Sequence, residues 1–343
     1  KIDPIDTFIL DSRQSIMSPV HEDEHASPNW HTVEQKLRTP CFWVICRAPV
    51  EFNPTSQLLL QYSRIQSGTL SMAMDVVHPR VACGYRHSLL ISDSGLAYGM
   101  GEGLNGEVGN DREQVCPTPQ LINDGVDNDG ADSPAQRNYF QVSAGAAHSI
   151  ACTDDGFCYT WGRGAYGCLG HGEDTDTYLS PVGTPRAHTM PMLVRYLLGL
   201  DYDSKLKKDL RSSRDPVAIQ YVSAGEDFSA AIDESGRVWV WGRNDHGNLG
   251  LGDNTPRAYP ALVEGLLKNK QRVLSVSCGS KHMMAITNEG TAWAWGHGEH
   301  GKLGLGHTYD TYDPTAILAL ERDFIVAGSC GSSHTAAVDD SGN

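Results

Sequence analysis

Three stretches of this 343-residue chain spell G-x-G-x-x-G: GEGLNG at 101–106, GRGAYG at 162–167 and GHGEHG at 296–301. Glycines so placed let a backbone approach a pyrophosphate, which then sits on the N-terminus of the helix that follows. Here each stretch follows a strand-like segment and no helical pattern comes after it, so tight structural turns are the better reading. A fourth copy carries Asn244 at the middle position, another residue that tolerates positive φ. His297 and His300 in HGEH lack the helical H-E-x-x-H spacing that places two imidazoles on one face, which leaves zinc chemistry unsupported there. VDNDG at 126–130 is like a calcium loop, but its first ligand position is Gly125 and its twelfth is Gln136, not the required carboxylates. No G-x-S-x-G elbow and no catalytically spaced Cys/His pair occurs. No catalytic residue, cofactor or metal is expected from these motifs.

The glycine loops belong to a longer pattern. VACGYRHSLLISDSG, VSAGAAHSIACTDDG, VSAGEDFSAAIDESG, VSCGSKHMMAITNEG and SCGSSHTAAVDDSG align on Gly84, Gly145, Gly225, Gly279 and Gly331. A second glycine follows 11 residues later in every copy: Gly95, Gly156, Gly236, Gly290 and Gly342. A third follows 17 residues after the first in four copies: Gly101, Gly162, Gly242 and Gly296. Each copy reads as a small apolar strand, a turn rich in Asp, Ser and Asn that ends in Gly, and a second strand. On that second strand Tyr159 and Trp161, Trp239 and Trp241, and Trp293 and Trp295 stand two apart, so each pair shares a face and points into a core. The first copy has Tyr98 and Met100 instead. Histidine recurs three residues after the leading glycine as His87, His148, His282 and His334. Four copies of one element imply a structural role, with an imidazole nitrogen holding groups between strands. Strand-rich units repeated at about 50 residues indicate a β-propeller.

Composition agrees. Charged residues make up 20% and hydrophobic ones 40%, which excludes wholesale disorder, and no apolar run is long enough for a membrane-spanning helix. Net charge is −15, which argues against direct DNA binding through phosphates. The 36 glycines exceed the usual share of about 7%, and the repeat accounts for the excess. Nine cysteines include no CxxC pair. Cys83, Cys278 and Cys330 share one repeat position that suits a small buried residue, so a reducing intracellular compartment is expected, cytoplasmic or nuclear first, an organelle or cilium second.

The C/A-G-x-x-H-S element, the D-x-G turn, the W-G step and the G-x-L-G-x-G loop together resemble RCC1-type repeats (regulator of chromosome condensation) over residues 76–343. The resemblance implies an all-β protein, an RCC1-like β-propeller, normally of seven blades with four strands each. Phe228 departs from the pattern by replacing the repeat histidine, and Met283 by replacing the Ser or Thr after it. Four full units and one broken unit are legible, so the ring is expected to be incomplete within this chain. Blades beyond Asn343 or diverged ones in residues 1–75 are preferred over closure by the strand candidate at 39–52. Residues 1–75 read as an N-terminal arm with degenerate strands, and 123–138 and 173–218 as insertions. In the second insertion a helix is expected over 191–210, with Met192, Leu193, Tyr196, Leu197 and Leu200 on its apolar side, facing a partner or its own propeller.

The resemblance further implies a non-enzymatic interaction scaffold for protein partners, a subunit or adaptor of a larger complex. The alternative is a guanine-nucleotide exchange factor for a small GTPase of the Ran or Rab type. No exchange residues carry over, because the loops that act in the founding member have no motif match here. The plant ultraviolet-photoreceptor branch has a GWRHS-like motif; GYRHS at 84–88 carries Tyr85 at the tryptophan position, which argues against light sensing.

Overall fold

The computed structural model describes residues 8–10, 42–44, 80–123, 137–172, 187–203, 208–211, 215–267 and 272–343. The chain divides into two units, one of residues 1–52 and 58–73, the other of 53–57 and 74–343. In the first, β1 (Phe8–Leu10) pairs antiparallel with β2 (Phe42–Val44). The candidate closing strand at 39–52 is therefore described only over Phe42–Val44, and there it pairs with β1. The remainder of the N-terminal arm, including 57–74, lies outside the described residues.

The second unit is a series of antiparallel sheets. The first blade holds β3 (Val81–Cys83), β4 (His87–Ile91), β5 (Ala97–Gly101) and β6 (Cys116–Leu121). The second holds β7 (Tyr139–Ala144), β8 (His148–Thr153), β9 (Cys158–Arg163) and β10 (Ala187–Leu193). A two-stranded ribbon follows, β11 (Leu200–Asp203) with β12 (Lys208–Arg211). The third blade holds β13 (Ile219–Ala224), β14 (Phe228–Asp233), β15 (Val238–Gly242) and β16 (Arg257–Leu262). The fourth holds β17 (Val273–Cys278), β18 (His282–Thr287), β19 (Ala292–Gly296) and β20 (Thr311–Ala316), and a fifth sheet pairs β21 (Ile325–Cys330) with β22 (Thr335–Asp339). Each unit thus meanders strand to neighbouring strand through tight turns, such as the one where Gly156 adopts φ +86°.

Successive blades pack face to face, and the core is divided among these seams. Four hydrophobic clusters correspond to the four seams. The second strands of the three middle blades, β8, β14 and β18, each lie between two of them, so both faces are buried and they show no polar alternation. In β8, Ile150 enters the seam with the third blade and Ala151 the seam with the first; in β18, Met283 and Met284 divide likewise. Trp161, Trp241 and Trp295 are fully buried, each in the seam with the preceding blade. Tyr159, Trp239 and Trp293 pack against the same clusters, as their spacing predicts.

The expected helix over 191–210 is not formed. Pro191, Met192 and Leu193 lie in β10, Arg195–Leu198 is a single 3-10 turn closed by Gly199 in the left-handed region, and Leu200 begins β11. Residues 187–198 therefore belong to the second blade rather than to an insertion. The cause is tertiary: β10 fills the outer strand position beside β9, and Val194 then donates to the Cys158 carbonyl at 2.9 Å, as Val263 does to Val238 and Ile317 to Ala292. The other proposed insertion, 123–138, lies largely outside the described residues, with VDNDG.

The leading glycines serve close packing. A Cβ on Gly145 would run into His148 Cε1 and the Gly225 carbonyl of the next blade, and the same holds at Gly84 and Gly279 with their own neighbours. Gly145→Ala should therefore cost about 1–3 kcal/mol of stability, as overpacked cores do. Urea unfolding of the variant checks this; an unchanged midpoint would refute it.

Candidate interaction surface and the seams beneath it

The repeat histidines sit where blades meet. His87 Nε2 lies 2.9 Å from Ser149 Oγ of the second blade, His148 Nε2 3.0 Å from Ser229 Oγ of the third, and His282 Nε2 2.8 Å from Thr335 Oγ1 of the fifth sheet. Each hydroxyl in turn donates back to a corner-loop carbonyl of the histidine's own blade: Ser149 to Glu107, Ser229 to Cys168, Thr335 to Lys302, at 2.8–2.9 Å. A hydroxyl has one proton, and here the carbonyl takes it. The imidazole must therefore be the donor through Nε2–H, which leaves Nδ1 unprotonated. A protonated ring would need an acceptor at Nδ1, and His87 Nδ1 and His282 Nδ1 have none. Burial accordingly pushes the pKa of His87 and His282 down to about 3 and that of His148 to about 4. His334 stands over Gly331 as the others do over their glycines but is exposed.

The third–fourth seam replaces this relay at both ends. The Phe228 ring lies over Gly225 where the imidazoles lie over theirs, and Met283 takes the hydroxyl position; both are buried in one cluster. The two departures from the repeat pattern are therefore one exchange, a polar pair for an apolar one. Asn248, whose carbonyl would receive the hydroxyl, accepts Trp295 Nε1–H at 3.1 Å, as Glu107 accepts Trp161 Nε1–H at 2.9 Å. A further set of seam residues escaped the sequence reading. Ser143, Ser223 and Ser277 each accept a backbone N–H of the next blade, from Ala224, Cys278 and Cys330 at 2.9–3.1 Å. The signal was the serine of V-S-A-G and V-S-C-G. Cys278 and Cys330 are free and buried, and burial pushes the Cys330 thiol up to about 12.

Above the seams run the glycine loops. Among the described residues no helix follows any G-x-G-x-x-G stretch beyond a three-residue 3-10 turn, so none of these described turns offers a phosphate cradle. The loop residue before the fourth-strand side, Tyr166 or His246, reaches the first loop residue of the next blade. Arg243 lies over the Tyr166 ring at 4.6 Å, and the His246 and His297 rings are 4.2 Å apart. On the outer edge of the second–third seam, Tyr196, Trp239, Pro256, Tyr259 and Pro260 line a groove of about 430 Å³ in which the Tyr196 and Tyr259 rings lie 5.2 Å apart. Of the expected apolar set, Met192 is exposed, Leu193, Tyr196 and Leu200 are half-buried, and Leu197 is buried in the blade core.

The coupled exchange predicts a double-mutant cycle. Phe228→His alone should destabilise by about 1–3 kcal/mol, the cost of an unpartnered buried polar group, and Met283→Ser added to it should recover part of that loss. Additive urea midpoints would refute the pairing. The histidines also set a pH dependence. Their folded-state pKa values lie below the ordinary 6.5 or so, so the unfolded chain binds protons that the folded one cannot. Stability is then intact above about pH 6.5 and falls as pH drops toward 4 and 3, by up to about 1.4 kcal/mol per pH unit for each ring. Urea unfolding between pH 7 and 5 should show that slope, and His148→Phe should reduce it.

Comparison with known proteins matches this architecture. The family model of the regulator of chromosome condensation (RCC1) repeat fits residues 155–232, 235–286 and 289–338, and a second model of the repeat fits 141–168, 219–248 and 273–302. The chain is 31% identical over 284 residues to the E3 ubiquitin-protein ligase HERC2 of Homo sapiens, covering 75% of this chain and 6% of that protein. It is 29% identical over 270 residues to the ultraviolet-B receptor UVR8 of Arabidopsis thaliana, covering 71% and 58%. Among solved structures, human WBSCR16 superposes with a TM-score of 0.59 at 24% identity over 80% of this chain and 59% of that one, a likeness of fold. The chain thus spans only part of the length of each. The repeated blades, the histidine relay between them and the matched models lead to one conclusion: this chain belongs to the RCC1 repeat family.

Proposed function

We propose that this chain is a non-enzymatic protein-interaction platform, an adaptor or subunit of a larger complex. One observation carries the reading: the buried histidines and cysteines that recur in the repeat are used up inside the seams. His87, His148 and His282 are buried and neutral, and the buried cysteine thiols are held protonated by desolvation. The outer groove of Tyr196, Trp239 and Tyr259 offers what a protein partner uses, aromatic rings with little rotamer entropy to lose beside prolines and Arg257. Tyr196, which lines the groove, is the member of the apolar set that we assign to this contact.

Affinity capture with the full chain, compared with Tyr196→Ser/Tyr259→Ser, tests the reading. Stable partners should be recovered by the parent and depleted at least about tenfold by the double variant, the loss expected of two hot-spot aromatics. In parallel, nucleotide release from a panel of small GTPases, Ran and Rab types included, should be unaffected by added chain. Accelerated release would replace the platform reading with exchange activity.

A further inference from the structure

The third–fourth seam, whose buried relay is apolar, carries on its loop side a cluster of ligand-type side chains. His246 comes from the corner loop of the third blade, His297 from the first position of the fourth blade's loop, and Asp310 from the segment entering β20. His246 Nδ1 lies 2.8 Å from Asp310 Oδ2, His297 Nε2 lies 3.9 Å from Asp310 Oδ1, and one ligand atom from each residue falls within 4.8 Å of the other two. Glu299 Oε2 is 3.5 Å from His297 Nε2. The Asp310 carboxylate is already oriented, since its Oδ1 accepts the Gly298 backbone N–H at 3.0 Å. Side-chain exposures of 27% for His246 and Asp310 and 17% for His297 leave the group reachable from solvent yet partly walled. At the second–third seam the corresponding positions hold Tyr166 and Arg243, which form a cation–π contact and cannot ligate.

We propose that His246, His297 and Asp310 form a binding site for a late first-row divalent cation, zinc foremost, with Glu299 as fourth ligand, clamping the third and fourth blades together. Two imidazoles with carboxylates suit zinc, whereas calcium and magnesium need oxygen-only shells of six or more. Zinc–ligand bonds of about 2.0–2.2 Å place tetrahedral donors roughly 3.3 Å apart. The 2.8 and 3.9 Å separations, to the two oxygens of Asp310, bracket that spacing, and all three ligand atoms lie within 4.8 Å of one another, so loading draws the imidazoles inward. The sequence reading found no zinc site in His297 with His300; the fold instead brings His297 to His246, 51 residues earlier in the chain. Lys302 works against the site. Its Nζ lies 2.8 Å from His297 Nδ1, and a metal on Nε2 moves the ring N–H to Nδ1, which an ammonium cannot accept. Lys302 must swing away on loading, so Lys302→Gln, whose amide oxygen accepts that N–H, is a gain-of-affinity variant.

Calorimetric titration of zinc chloride into the chelator-treated full chain tests the proposal. Expected are one zinc per chain at micromolar affinity, at least about tenfold weakening in His246→Gln and in His297→Gln, and about tenfold tightening in Lys302→Gln, the range typical of altered second-sphere partners. Cobalt loading should give ligand-field bands without thiolate charge transfer. Absence of zinc uptake at millimolar concentration would overturn the site. So would uptake unchanged in both histidine variants, which would assign binding elsewhere, for instance to His171 and His188, whose rings lie 5.3 Å apart. Should either histidine variant fail to fold by circular dichroism, Lys302→Gln decides: unchanged affinity there overturns the proposal.

Discussion

Everything in this molecule depends on how one blade satisfies the polar groups of the next. Sheets packed face to face bury both faces of their second strands, and a buried polar group left unpartnered costs about 1–3 kcal/mol. The relay from His Nε2–H to a hydroxyl and on to a corner-loop carbonyl meets that demand with three groups from two blades. It also sets the geometry of its surroundings. The imidazole occupies the space a Cβ would need, so the leading residue is glycine, and the loop must return its carbonyl to the same point, so the corner keeps its glycines.

The same constraint explains which residues are free to act on partners. The repeat histidines His87, His148 and His282 and the buried cysteines Cys278 and Cys330 are absorbed by the seams and held neutral there. What remains variable is the loop position that overlies each seam and the outer edge where the fourth strand ends. Those positions differ between junctions, Tyr166 with Arg243 at one and His246 with His297 at the next, while the strand pairing beneath them repeats from blade to blade. A rigid, repetitive interior carrying non-repetitive edges is the arrangement expected of a binding platform.

The exchange at the third–fourth seam shows how strictly the relay is organised as a pair. Phe228 and Met283 are 55 residues apart, and each taken alone is a departure from the repeat. Together they remove donor and acceptor at once, so no polar group is stranded. Only the seam reveals them as partners, because the histidine of one copy answers to the hydroxyl of the following copy and not to its own neighbour in sequence. Ser143, Ser223 and Ser277 were hidden for the same reason: their bonds cross to the next blade.

From the sequence alone, the glycine register, the paired aromatics and the turn residues determined the strands, the hairpins and the all-β repeat architecture, since period-two patterning and left-handed turns are local properties. The helix expected around Tyr196 failed because PMLVRYLL was read for its own periodicity. Its likeness to PALVEGLL at 260–267, the end of the third blade's outer strand, marks both as the same repeat element. A strand with one buried side and a short turn after it can imitate a helical apolar stripe, and only pairing with β9 selects between them. Tertiary structure likewise decided which histidine meets which hydroxyl, which loop side chains gather above each seam, and that Tyr196 finds Tyr259. These are contacts between blades some 50 to 80 residues apart, brought together by the rotation from one sheet to the next, a quantity that no local pattern encodes.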